Sequence, residues 1–231
     1  MLSREAKAAF FAFAGPLMKL NGVIYRRFRA PRSGVVKVHL GPGQKNYING
    51  WTNIDANIFT GKADLWADLR NPLPFDDNSC DAFYSHHMIE HLPNMEFHLS
   101  EVLRCLKPGG IYRVGGPNGD SAIAKFVEGD SKWFGGFPDD RKSVGGRLEN
   151  FIFCRQEHLT VLTLSFVTEL LGNAGFGDIK KCDPVRESTA SEMFSDCLAT
   201  EEESDYVTPH TLIVEAVKPA TSSSSVSRHL S

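Results

Sequence analysis

An α/β sheet with helices on both faces is the fold class this sequence predicts, and three observations predict it. Short β-branched runs alternate with segments whose apolar residues recur at helical spacing. The first run, Val35-Val36-Lys37-Val38-His39-Leu40, ends in a glycine turn at Gly41-Pro42-Gly43. Two more runs, at 178–182 and 211–217, follow the last strong helical stripe and complete an alternating pattern.

A chain of 231 residues suits one substantial domain. With 42% hydrophobic and 23% charged residues it is neither disordered nor fibrous. No stretch reads as the roughly 20 apolar residues of a membrane span. Charge is uneven: residues 1–34 hold seven Lys or Arg and one acid, net +6, which leaves −9 for the rest of a chain totalling −3. In that segment an apolar stretch at 8–14 meets Gly15-Pro16. One or two short amphipathic helices are expected there, packed beside or over a ligand site, with contact to a membrane or anionic lipid as a second reading.

After the first strand, Trp51-Thr52-Asn53-Ile54 predicts a second that ends at Asp55, and residues 63–67 a weaker third. Turn residues fill 71–79, and Cys80-Asp81-Ala82-Phe83-Tyr84-Ser85 predicts a fourth strand. From 94 to 106 a helix is expected, with Asn94 as cap and Met95, Leu99, Val102, Leu103 and Leu106 on one stripe. Lys107 suits its last turn, and Pro108-Gly109-Gly110 should stop it before a strand at 111–114. Residues 116–157, rich in Gly, Pro, charge and scattered aromatics, read as an insertion covering a site. A helix follows at 165–174, closed by Gly175, and the two late strands flank an acidic stretch at 201–205. The serines at 222–225 predict a disordered tail. The expected organisation is thus a basic helical segment (1–34), a main α/β domain (35–218) and a tail (219–231).

The composition also narrows function. With a pI near 6.2 and no basic face in the domain, nucleic acid is not the expected partner. Cys80, Cys105, Cys154, Cys182 and Cys197 form no CxxC pair; this argues against a disulfide framework and for a reducing, cytoplasmic setting. Ligands of open α/β sheets lie beyond the carboxyl ends of the strands. There Gly41 and Gly43 allow close backbone approach, although Asn46 breaks a GxGxxG fingerprint. Asp55 stands where an acid accepts both hydroxyls of a ribose, or else caps a turn; Asp68 is placed to receive an exocyclic amine.

These segments fall in order with Glu90-His91-Leu92 and Leu106-Lys107-Pro108-Gly109-Gly110 within about 70 residues. Together they resemble the class I S-adenosylmethionine-dependent methyltransferases of the small bacterial type, strongly over 35–118 and loosely over 158–217. The resemblance implies a Rossmann-like, mainly parallel seven-stranded sheet with an antiparallel strand near the C-terminus. It implies that Gly41 and Gly43 border the methionine part of the cofactor, Asp55 holds the ribose, Asp68 and Leu69 contact adenine, and Ser85 or His86 lies under the methionine moiety. Many members place an acid where His39 stands, so here the cofactor's ammonium falls to backbone carbonyls or other groups.

His87-x-x-Glu90-His91 also matches the inverted zincin pattern. Pro93 and the preceding strand leave no room for the long helix a zinc hydrolase of that kind needs. Under the methyltransferase reading, His91 or His87 deprotonates a hydroxyl of a small-molecule or sugar acceptor and Glu90 orients the base, without a metal. The bland alternative is that Glu90 and His91 only organise the turn. His158 is a further candidate base, and Arg141, Lys142, Arg147 and Arg155 either meet an anionic acceptor or form a solvated face. A protein that keeps the fold and cofactor without turnover is the alternative from another class.

Overall fold

Sheet pairing follows from where the β-branched and aromatic runs lie. In the computed structural model, which describes residues 4–59 and 61–220, seven strands pair in the order β3-β2-β1-β4-β5-β7-β6. β1 (Lys37–Leu40) and β2 (Thr52–Asp55) lie parallel, as do β3 (Leu65–Trp66), β4 (Cys80–His86) and β5 (Leu106–Pro117) with their neighbours. β7 (Thr211–Val217) runs antiparallel between β5 and β6 (Gly177–Cys182). This is the Rossmann-like arrangement the resemblance implies.

Alternation along β4 shows why both faces must be covered. Phe83 belongs to a large cluster with Leu40, Leu99, Val102 and Leu171, whereas Ala82 and Tyr84 face Trp51, Phe194 and Cys197. The large face is closed by α2 (Met95–Cys105), capped by Asn94 accepting from the Phe97 N–H at 2.9 Å, and by α5 (Leu164–Ala174), which ends at a left-handed Gly175.

Several boundaries differ from expectation. Gly15-Pro16 does not split the N-terminal segment: α1 is one helix, Arg4–Phe28. The N–H missing at Pro16 frees the Ala12 carbonyl, and both residues lie on the exposed side of the helix. Burial of Ala14, Met18 and Tyr25 holds the helix to the domain. Among the described residues α1 is also the one helix long and apolar enough to cross a membrane by length and composition, which corrects the expectation that no segment approaches a span. Lys107 and Pro108 lie in β5 rather than at a helix end, with Lys107 Nζ 2.7 Å from Asp81. Residues 116–157 hold the end of β5 and two helices, α3 (Gly119–Glu128) and α4 (Val144–Phe153), around a small core of Ala122, Trp133, Phe134 and Ile152. The acidic stretch is preceded by α6 (Ser191–Leu198), whose Phe194 covers the smaller sheet face. The serine tail falls almost wholly outside the described residues.

Candidate functional site

The carboxyl ends of β1, β2 and β4 meet at one place. Gly41 and Gly43 both have positive φ, +72° and +59°, where a side chain is strained. A Cβ on Gly41 would stand 2.5 Å from Met88 Cγ, so the turn after β4 packs directly on the glycine turn. Asp55 is aimed at the same place: its Oδ2 accepts from the Gly43 N–H at 2.9 Å and its Oδ1 from the Asn57 N–H at 2.8 Å. Each oxygen uses one of its lone pairs there and keeps acceptor capacity.

Asp68 is differently committed. It is buried and gripped by Arg70, with Nε to Oδ1 at 2.9 Å and Nη2 to Oδ2 at 2.7 Å, and the guanidinium lies 3.6 Å from the Phe11 ring centre of α1. Leu69 is buried beside it, its carbonyl 3.2 Å from His98 Nδ1. His39 sits inside the sheet with Nδ1 3.0 Å from Asn53 Oδ1; burial lowers its pKa to about 4, so it is neutral.

Ser85 and His86 diverge because successive strand residues point to opposite faces. Ser85 is fully buried with Oγ 2.7 Å from Tyr112 Oη in the large core. His86 stacks on Tyr84, its Nε2 is buried without a partner, and burial pushes its pKa well down. His87 follows in a left-handed conformation, φ 53°, before a single 3₁₀ turn, Ile89–His91. His87 and His91 therefore share no helix face, and the inverted zincin geometry is absent. The turn instead directs Glu90 inward, fully buried, over Gly116, where a Cβ would come within 3.2 Å of Glu90 Oε2.

Around Glu90 stand three imidazoles. His87 Nδ1 is 3.4 Å and His158 Nε2 3.9 Å from Oε1, while the His91 and His158 rings are 4.9 Å apart. Burial pushes the Glu90 carboxyl up, but the imidazoles of His87 and His91 outweigh it and hold it below the usual carboxylate range. Desolvation lowers His158. His87 Nε2 reaches Thr211 Oγ1 at 3.3 Å, a contact no sequence pattern signals. The basic residues of 116–157 are spent locally: Arg147 donates to the Arg141, Ser131 and Gly135 carbonyls, Arg155 and Arg141 pair with Asp139, and Lys142 pairs with Asp140.

Residues 35–114 match the model of a methyltransferase domain family. Over that stretch the chain is similar to a methyltransferase domain. Such domains take S-adenosylmethionine, and the residues present fit it: two side-chain-free positions with positive φ, a carboxylate with spare acceptor capacity, and the orphaned His86 Nε2 lie at the strand ends. Asp68 fits less readily, since Arg70 already holds both oxygens. A sterol 24-C-methyltransferase of Gibberella zeae is 50% identical over 42 residues, 18% of this chain and 11% of that protein. The fold of the methyltransferase domain is shared with two solved structures. One, a possible histamine N-methyltransferase of Thermotoga maritima, gives a TM-score of 0.51 at 16% identity, over 92% of this chain and 94% of that one. The other, from a complex with the Haloferax volcanii Trm112 methyltransferase activator, gives 0.50 at 19% identity, over 91% and 98%.

Proposed function

We propose that the protein transfers a methyl group from S-adenosylmethionine to a hydroxyl of a small-molecule or glycosidic acceptor. The observation that supports this reading is the packing of Met88 on Gly41, which joins the turn that carries His87 and His91 to the backbone that would border the cofactor's methionine part. When bound, the cofactor supplies an electrophilic methyl whose bond to sulfur breaks, its electron pair going to sulfur, as the acceptor oxygen forms the new bond to carbon. Asp55 would hold the ribose, the Gly41 and Gly43 backbone the methionine part, and Leu69 with Asp68 the adenine edge. His87 or His91 would take the hydroxyl proton, with Glu90 holding the base in place. His158 emerges directly from the 116–157 segment, which supports placing that segment on the acceptor side.

The finer placement of the chain belongs to the same reading. On the outer side of α1, Phe13, Leu17, Leu20, Ile24 and Phe28 are exposed at helical spacing, and Lys19, Arg26 and Arg27 are exposed beside them. That combination supports peripheral contact with anionic lipid from a reducing, cytoplasmic side, where the five buried thiols stay free. Leu20→Glu should then release the protein from anionic vesicles in a sedimentation assay; equal sedimentation of both proteins would end the lipid reading.

The catalytic reading is tested by calorimetric titration with S-adenosylmethionine and S-adenosylhomocysteine, followed by an acceptor screen. Asp55→Ala should weaken cofactor binding by ~10-fold or more, as loss of a hydrogen bond to a charged group of about 1.5–3 kcal/mol implies. A His87→Ala, His91→Ala double variant should bind cofactor normally and lose turnover. Undiminished turnover in the double variant would remove both histidines as bases.

A further inference from the structure

Neither oxygen of the fully buried Glu90 carboxylate has a hydrogen-bond partner. A buried carboxylate left without donors is strongly disfavoured unless a cation accompanies it. The nearest nitrogen, His87 Nδ1, stands off at 3.4 Å, and the two other imidazoles are turned to main-chain carbonyls. His91 Nδ1 lies 2.9 Å from the Glu157 carbonyl, and His158 Nδ1 lies 2.9 Å from the Ile152 carbonyl. A carbonyl only accepts, so each Nδ1 carries a proton, and in the neutral ring each Nε2 is the lone pair available to a metal. His158 Nε2 faces Glu90 Oε1 at 3.9 Å, and one ligand atom from each of Glu90, His91 and His158 lies within 4.8 Å of the other two.

We propose that Glu90, His91 and His158 form a mononuclear site for a divalent transition-metal ion. The donor set selects the class of ion: two imidazoles and one carboxylate suit Zn2+, Mn2+ or Fe2+, whereas Mg2+ and Ca2+ favour oxygen ligands alone. Both imidazoles are already held from behind by main-chain carbonyls, the outer hydrogen bonds that fix tautomer and ring orientation in metal-binding histidines. Three protein ligands leave coordination positions open, and His91, the exposed member, marks the open side. His87 stands next to the set rather than in it, tied to Thr211 Oγ1 and within 3.4 Å of Glu90 Oε1.

Metal binding stands on this cluster alone. Its use rests on the methyl transfer proposed above: a hydroxyl held at an open position would be made more acidic, His91 would serve as ligand, and His87 would remain as the base.

The metal-free full chain is titrated with Co2+, followed by its ligand-field absorption, and with Zn2+ in competition with a chelating dye. One equivalent should bind with a visible Co2+ spectrum of nitrogen and oxygen ligation. His91→Ala and His158→Ala should each weaken Zn2+ binding by more than the ~10–100-fold that loss of an outer hydrogen-bond partner costs. His87→Ala should keep it within about 10-fold. Circular dichroism and S-adenosylhomocysteine titration of each variant separate loss of the site from loss of the fold. Absence of stoichiometric binding overturns the site, and so does binding that His91→Ala and His158→Ala leave intact. Loss in His87→Ala with retention in His158→Ala overturns the ligand set. None of these readouts needs an acceptor or turnover, so a failed acceptor screen leaves them standing, and a missing metal leaves cofactor binding by Asp55 standing.

Discussion

The buried carboxylates around Arg113 and the one at Glu90 are finished to different degrees. Around Arg113 every charge is matched: Nε and Nη2 each lie 2.8 Å from Glu201, Nη1 lies 2.6 Å from Glu215 Oε1 and 3.0 Å from the Glu187 carbonyl. The remaining Glu215 oxygen takes the Thr189 N–H at 2.7 Å. Around Glu90 neither oxygen has a close hydrogen bond, and the nearest nitrogen, His87 Nδ1, stands 3.4 Å away. The first arrangement is complete without a ligand and braces β5 and β7 against the segment 185–201; the second would be completed by the cation proposed above. Buried charge therefore marks a brace in one place and a site in the other, and partner satisfaction tells them apart.

The largest expected effect is on the complete cluster. Arg113→Met leaves two buried carboxylates uncompensated and should cost about 3–5 kcal/mol in urea unfolding. Glu90→Gln in the metal-free protein should cost less, about 1 kcal/mol, because it gives up only the long 3.4 Å contact with His87 Nδ1. Equal, large losses in both variants would erase the distinction. Between these lies an acid effect from His39 and His98, buried neutral with pKa values near 4 against an ordinary 6.5. Above 6.5 neither state takes up a proton there and stability is complete. Between 6.5 and about 4 only the unfolded chain is protonated, so stability should fall by about 1.4 kcal/mol per pH unit for each histidine. His39→Gln should flatten that slope, while the deficit of Arg113→Met should persist through the same window. A wild-type stability flat across it would mean these rings are not buried neutral.

Much of the fold is legible because the strands announce themselves: the run ending at Gly41, the Trp51–Ile54 segment ending at Asp55, and residues 211–217 each appear where the sequence places them. The helices within 116–157 do not. α3 buries Gly119, Ser121 and Ala122, small or polar residues that leave no apolar stripe to count. α6 has only Phe194 and Cys197 facing inward. Arg113, between Tyr112 and Val114, reads as the solvent-facing member of an alternating strand, and is buried because Glu201 and Glu215 arrive from 88 and 102 residues later. The same limit governs the site. Glu90 and His91 are adjacent and suggest each other, but His158 joins them only because Leu159 N–H bonds the Glu90 carbonyl at 2.8 Å. Arg70 claims Asp68 from two residues away, a pairing that spacing permits without requiring.

α1 touches both ends of the cleft. Phe11 backs the arginine that holds Asp68, and Lys7 pairs with Glu157, whose carbonyl fixes the His91 tautomer. The helix is therefore a tether shared by the Asp68 end and the histidine end. A single proteolytic cut that frees residues 4–28 would slacken both together, so limited digestion offers a way to ask whether the two ends answer as one unit.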